Sequence, residues 1–307
     1  MAERTEISWA DATFNPWIGC TKVGPGCDHC YAERDNGRRK WVDGWGPGVP
    51  RRRTKTWDAP LRWDRAAALS GQRPRVFCAS LADVFDNEVE QAWRTDLWAL
   101  IRATPNLRWM LLTKRIGNAA KMLPPDWPYP NAGLMATVVN QAEADRDIPK
   151  LMMTPATWRG LSIEPMLGPV DISHWLTGHE GIGLDWVICG GESGPHARPM
   201  HPSWPRSLRD QCAAAGVAFH FKQWGEWAPH KISPGSRGQI CLWPNGREGA
   251  GIGGANENGG GGAEMDRVGK KRAGDLLDGR EHKEFPAALE ASPAPRTAFA
   301  ADVGGSP

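Results

Sequence analysis

Three cysteines, Cys20, Cys27 and Cys30, stand in one Gly-rich run, Gly19-Cys20-Thr21-Lys22-Val23-Gly24-Pro25-Gly26-Cys27-Asp28-His29-Cys30, and the next cysteine is Cys78. Glycine and proline break this run too often for a strand or a regular helix, so it is a loop that a larger scaffold has to hold. A structural zinc site closes with four protein ligands, whereas three thiolates on one loop leave a coordination position open. A [4Fe–4S] cubane held by three cysteines has the same opening, at one iron without a protein ligand. Two other readings compete. A disulfide is disfavoured by the odd total of seven cysteines and by the lack of a leader-like apolar stretch, which together point to a reducing, cytoplasmic setting. Zinc completed by His29 or by a distant residue stays open, although His29 adjoins Cys30 and would strain to reach the same ion.

The scaffold is read from hydrophobic periodicity. Short apolar or β-branched runs alternate with helical stretches over residues 1–230, which favours a parallel sheet with helices packed outside it. Strands are expected just before Cys20 and at 75–79, 109–113, 134–138, 159–163, 186–189 and 218–221. Seven such units predict an α/β fold, a partial parallel (β/α) barrel. Trp93, Leu97, Leu100 and Ile101, and later Leu208, Cys212 and Ala215, recur at helical spacing and are packing stripes, the second stopped by Gly216. Residues 231–307 are expected to form a flexible C-terminal extension. It holds a Gly-rich linker at 249–262, a helical pattern over 268–280 and a disordered tail after Pro286.

Composition narrows the classes of partner. No apolar run approaches membrane-spanning length. The formal charge of +2 rules out a polycation, so any contact with nucleic acid has to come from local patches such as Arg51-Arg52-Arg53 with Lys55, or Lys270-Lys271-Arg272. Each patch also reads as an exposed, solvated run. Seventeen tryptophans against two tyrosines are mostly core or groove walls, with base stacking open to any that are exposed.

In βα barrels the loops after the strands carry the site, and nearly every strand here is followed by polar residues. The cysteine loop follows the first; Ser80, Asp83 and Asp86 the second; Lys114 and Arg115 the third; Asn140 the fourth; Glu164 the fifth; Glu192, His196 and Arg198 the sixth; Lys222, Gln223 and Trp224 the last. Cys78 and Cys189 lie inside apolar strands and are expected to be buried packing.

Several segments carry a family resemblance: Trp9-Ala10-Asp11-Ala12-Thr13-Phe14-Asn15-Pro16-Trp17 leading into the cysteine loop, Leu112-Thr113-Lys114-Arg115, Leu161-Ser162-Ile163-Glu164-Pro165, Gly190-Gly191-Glu192-Ser193-Gly194 and Phe221-Lys222-Gln223-Trp224-Gly225. Together they resemble a phage-encoded, three-cysteine branch of the radical S-adenosylmethionine (SAM) superfamily, distantly similar to spore photoproduct lyase. Six residues separate Cys20 from Cys27 where that superfamily usually has three, and the Gly24-Pro25-Gly26 turn is placed to absorb them. The resemblance implies a radical SAM barrel in which Cys20, Cys27 and Cys30 hold a [4Fe–4S] cluster that binds and cleaves SAM. It implies an external electron donor of flavodoxin or ferredoxin type. It also implies a nucleic-acid substrate, foremost a substituted thymidine in phage DNA that is modified or isomerised, with repair of a pyrimidine lesion as the alternative. A zinc-stabilised nucleic-acid-binding module without catalysis is the reading outside the family. For SAM, Lys114 or Arg115 would meet the carboxylate, and Ser80, Asp83, Asn140 and Glu164 would accept from its ammonium and hydroxyls. Gly190 and Gly191 would let main chain approach a flat ligand. Glu192, Arg198 and Lys222 are the catalytic candidates.

Overall fold

Side chains alternate between the two faces of a strand, so an apolar residue at every position implies burial on both sides. The computed structural model describes residues 5–177, 183–230, 238–250 and 261–290. Along the chain run β1 (Ala12–Thr13), β2 (Trp17–Ile18), α1 (Tyr31–Arg39), β3 (Arg52–Arg53), α2 (Ala59–Ser70), β4 (Arg75–Cys78), α3 (Gln91–Arg102), β5 (Arg108–Thr113), α4 (Ile116–Met122), β6 (Ala132–Thr137) and α5 (Gln141–Met153). There follow β7 (Arg159–Ile163), α6 (Ser173–Leu176), β8 (Trp186–Gly190), α7 (Ser203–Ala215), β9 (Ala218–Gln223), β10 (Trp227–Pro229), β11 (Gln239–Leu242), β12 (Glu248–Ala250), β13 (Ala263–Arg267), α8 (Lys270–Ala273) and α9 (Ala287–Glu290).

Seven strands, β1 and β4 through β9, pair in that order and all in parallel, with β1 and β9 left as edges. The sheet is the partial (β/α) barrel expected from the sequence. On one face Val76, Cys78, Trp109, Leu111, Leu134, Leu161, Val187, Cys189 and Phe221 join a core with Leu97 and Ile101 of α3, Ile148 and Leu151 of α5, and Leu208 and Cys212 of α7. Cys78 and Cys189 are fully buried there, as expected.

The opposite, inner face changes character along the strands. Near the strand starts Phe77, Met110, Met135, Trp158, Trp186 and Ile188 pack with Trp9 from the N-terminal segment and Leu289 of α9. Toward the strand ends the same face carries Thr137, Ser162, Gly190 and Lys222. The inner face is thus plugged at its base and polar at its mouth, and all seven strand ends point to that mouth. His220 belongs to the plug. Burial, then the charges of Lys283, Lys222 and Arg75, push its imidazole down to about 3, so it is neutral and pairs with Ser8 Oγ at 2.9 Å.

The second sheet is antiparallel, in the order β10-β13-β11-β12. The extension is therefore a folded module, and its first strand, β10, starts ahead of residue 231. Gly249 lies within β12, and residues 251–260 of the expected linker fall outside the described residues. Of the helical pattern at 268–280 only Lys270–Ala273 is a helix, because Gly269, Gly274 and Gly279 adopt φ of +88°, +73° and +76° and break it. Disorder does not begin at Pro286: α9 follows, Leu289 is buried, and its carbonyl accepts from Arg108 Nε at 2.9 Å. Residues 291–307 lie outside the described residues. The returning segment also covers the β9 edge, where Phe221 N donates to His282 O at 2.8 Å and Glu284 N to Phe219 O at 3.3 Å.

Gly133 of β6 lies against the buried Trp158 indole, inside which a Cβ at this position would fall. Gly133→Ala is expected to cost about 1–3 kcal/mol through overpacking, read as a lowered thermal midpoint. Gly37→Ala in α1, where a Cβ meets nothing within 4 Å, is expected to leave the midpoint unchanged or slightly raised.

Candidate active site

The cysteine loop lies across the ends of the strands because three buried or half-buried arginines hold it there. Arg51 is anchored first. Its side chain is 1% exposed, pairs with Asp86 at 2.8 Å and Glu88 at 2.9 Å, and donates to Thr21 Oγ1 at 2.7 Å. Arg115, just after β5, donates to Thr21 O at 2.6 Å and to Cys20 Sγ at 3.4 Å. Arg198, beyond β8, donates to Pro25 O at 2.8 Å and to Asp28 Oδ2 at 3.1 Å while gripping Glu192 with two nitrogens at 2.6 and 2.9 Å. Lys22 closes the outer side on Glu33 at 2.8 Å. Glycine lets the loop sit this low: a Cβ on Gly26 would lie 2.7 Å from Val139, and one on Gly24 2.5 Å from the Glu143 carboxylate.

Buried charges of this kind are stable only when each is paired and hydrogen-bonded. Asp83 meets that condition, accepting from Thr113 Oγ1 at 2.7 Å, Phe85 N at 2.9 Å and Lys114 N at 3.0 Å, with Arg115 at 3.5 Å. Burial raises the Glu192 carboxyl, but the Arg198 hydrogen bonds outweigh it and hold the group below the usual range, helped by His29 Nδ1 at 3.1 Å. Burial, then Asp83, push the Cys20 thiol up to about 12, against the pull of Arg115.

The sequence-predicted residues divide into two groups. At the polar mouth, Lys222 pairs with Glu164 at 3.0 Å, and Glu164 lies over Gly190, where a Cβ would meet its carboxylate at 2.7 Å. Ser80 is joined to Asn15 at 3.0 Å, and Tyr31 Oη reaches the Ser80 carbonyl at 2.7 Å. Among the described residues the Lys114 side chain has no partner, and it lines a small cavity with Gly24, Gly26, Thr137, Glu143 and Arg146. The members of the other group are engaged by groups of the protein itself. Asp83 and Arg115 hold the loop, Asn140 caps α5 by accepting from Glu143 N, and Glu192 with Arg198 forms the clamp. Gly191 is needed because the Trp224 carbonyl occupies the place of its Cβ, so protein and not ligand makes the close approach. Within the Arg51 run, Arg51 is buried in ion pairs and Arg53 pairs with Asp96 at 2.7 Å, while Arg52 and Lys55 are exposed. Sequence reading did not single out Thr137, Ser162 or Tyr31. The two hydroxyls follow from strand parity once the inner face is known.

Of the seven cysteines, Cys78, Cys189, Cys212 and Cys241 are buried, while Cys20, Cys27 and Cys30 are half-buried at the mouth, and all are free thiols. Among the described residues no three His, Cys, Asp or Glu side chains converge as a ligand set for a metal ion. A cubane makes a different demand, because each thiolate binds a different iron and the sulfurs surround the cluster. His29 turns its Nδ1 to Glu192. Thr137 Oγ1, buried and without a hydrogen-bond partner, is an unsatisfied polar atom beside the loop. The donor set and this polar mouth fit a three-cysteine cluster with a polar ligand beside it.

The family described as protein of unknown function (DUF5131) matches residues 4–286. No curated protein matches the sequence. Among solved structures, a spore photoproduct lyase double mutant with bound AdoMet and dinucleoside spore photoproduct is 14% identical with a TM-score of 0.41, over 68% of this chain and 62% of that one. A single mutant with dinucleoside spore photoproduct is 13% identical with a TM-score of 0.43, over 86% of this chain and 70% of that one. The chain thus spans about three-fifths of the first of these structures, 62%.

Arg198→Ala is expected to destabilise the fold by about 1–3 kcal/mol, discounted because the arginine side chain is 29% exposed, and to speed hydrogen exchange at residues 25–28. Because the folded-state value of Glu192 is depressed, its stabilisation is complete above the ordinary value of 4.5 and is lost as pH falls through the folded value. Glu192→Gln should therefore flatten the decline of the urea midpoint below about pH 4.5, measured from pH 6 to 3.

Proposed function

We propose that this chain, which belongs to the DUF5131 family, is a radical SAM enzyme that acts on a pyrimidine in nucleic acid. The observation that carries the reading is the placement of the three half-buried free cysteines, alone among seven, on a loop stapled over the mouth of a partial parallel barrel. Cys20, Cys27 and Cys30 would hold a [4Fe–4S] cluster, which would supply one-electron reductive cleavage of SAM and through it hydrogen abstraction from substrate.

The chain's own residues bind and shield. Lys114, at the rim with no partner among the described residues, offers its ammonium to the SAM carboxylate. Thr137 and Ser162 offer hydroxyls on the inner face, and the Glu164–Lys222 pair offers one acceptor and one donor beside Gly190. Asn15 holds Ser80 in place, and the aromatic plug below, from Trp9 to Trp186, keeps water from entering through the base of the barrel. Arg198 and Glu192 serve as positioning residues for the cysteine loop, as Arg115 and Asp83 do on its other side.

The motif resemblance supports modification or isomerisation of a substituted thymidine in phage DNA as the reaction, with electrons delivered by a separate protein. A base within a duplex would have to be flipped out to reach the mouth. Product analysis on lesion-bearing against modified DNA separates isomerisation from repair.

Anaerobically reconstituted, reduced protein is expected to convert SAM to 5′-deoxyadenosine, and Cys27→Ala to abolish that product. Protein that retains zinc on four endogenous donors and forms no 5′-deoxyadenosine would overturn the reading.

A further inference from the structure

We infer that β13, α8 and the end of α1 form a basic ridge that binds the phosphodiester backbone of a nucleic-acid strand as its base enters the mouth. The inference rests on the nucleic-acid reading above but concerns a surface outside the cysteine loop and the inner face. Its position follows from backbone contacts. Glu226 N donates to Glu192 O at 2.9 Å, and the Val268 and Gly269 amides both donate to Glu226 O at 3.0 Å. The turn that carries α8 is thereby seated on the residue that clamps the cysteine loop. Gly269 and Gly274, both at positive φ, bracket α8.

Two cations from distant parts of the chain meet at Gly194. Arg267 of β13 donates to the Gly194 carbonyl at 3.2 Å and also to the Pro195 carbonyl, and Arg34 of α1 lies where a Gly194 Cβ would touch it at 2.5 Å. Further along, Lys270 and Lys271 are exposed, as are Arg38 and Lys40 at the end of α1, and among the described residues none of these four has a side-chain partner. Arg206 and Arg209, by contrast, are both paired with Asp278. Between these flanks lies a groove of ≈ 300 Å³ lined by Pro195, Glu226, Arg267 and Gly269. Glu226 is the carboxylate in that groove and its Oε1 accepts from Gly194 N at 3.2 Å, while Arg34 is itself paired with Asp35 at 3.3 Å, so phosphates are favoured along the lysine flank and the Arg38 and Lys40 end of α1.

The mode of binding follows from what the surface lacks. All seventeen tryptophans are buried or half-buried, so stacking on an exposed indole is not the basis of affinity. Binding through lysine and arginine to phosphates is weakly selective for sequence and falls steeply with salt.

The test is fluorescence anisotropy of labelled single-stranded DNA, duplex DNA and RNA of one sequence with the full chain, free of cofactor, across a potassium chloride series. Lys270→Glu with Lys271→Glu is expected to weaken binding about 10-fold or more at low salt and to reduce the salt slope by about 1–2. Lys121→Glu, in the last turn of α4, is expected to change it less than about 2-fold. Tighter binding of one polymer supports the ridge and names its occupant. Unchanged affinity in the double variant, or no binding by the unaltered chain at low salt, overturns the inference. SAM cleavage measured without nucleic acid separates the outcomes: 5′-deoxyadenosine without binding defeats only the ridge, and binding without 5′-deoxyadenosine defeats only the enzymatic reading.

Discussion

The Arg198 guanidinium touches two things that are far apart in sequence, the Glu192 carboxylate beyond β8 and the carbonyl of Pro25 in the cysteine loop, and the position of the site depends on that bridge. Arginine suits the task for a geometric reason. Its planar fork binds one carboxylate through two nitrogens and still has donors left for a carbonyl and for Asp28, which a lysine ammonium would not match in direction. Glu192 in turn is fixed from behind. The segment after β9 pairs with its main chain through Glu226 N, and a Cβ on Gly225 would collide with the Glu192 carbonyl. The clamp therefore draws on the last strand of the barrel as well as on β8.

On the other flank the same loop rests on a buried charge network whose members satisfy one another. Arg51 and Arg115 share Asp86, and Arg115 also faces Asp83. Removing any one would strand a partner in a low-dielectric interior, which is costlier than losing an exposed pair. The arrangement keeps Thr21 hydrogen-bonded through both its hydroxyl and its carbonyl, immediately after Cys20. A loop of this composition is mobile by default, and two braces on opposite sides make it a platform. Lys114, next to the arginine spent on that brace, has no side-chain partner among the described residues and lies at the rim.

The strand pattern is readable because a sheet covered on both faces writes itself as continuous apolar runs: all six runs expected after the cysteine loop are strands, 159–163 without any shift and the others shifted by at most two residues at an end. Glycine punctuation was readable at Gly216, which ends α7 at a φ of +67°. The extension reads as a linker because β10 through β13 are only three to five residues long and a Gly-rich stretch of sequence lies between β12 and β13. Partners were the other blind spot. Arg51-Arg52-Arg53 reads as a surface patch until Asp86 and Glu88 are known to lie against Arg51, and Gly191 reads as room for a ligand until the Trp224 carbonyl is found there. Such facts depend on which strand ends meet, which spacing along the chain does not encode.

These braces matter only if the loop they hold carries the cluster that its three thiols suggest. The most direct measurement is iron and sulfide content together with electron paramagnetic resonance of the dithionite-reduced, anaerobically reconstituted chain, recorded with and without SAM. About four irons and four sulfides per chain, with a reduced-cluster signal that shifts on adding SAM, is the expected result. A chain that takes up no iron or sulfide, or whose cluster signal ignores SAM, would contradict an open-iron site at the barrel mouth.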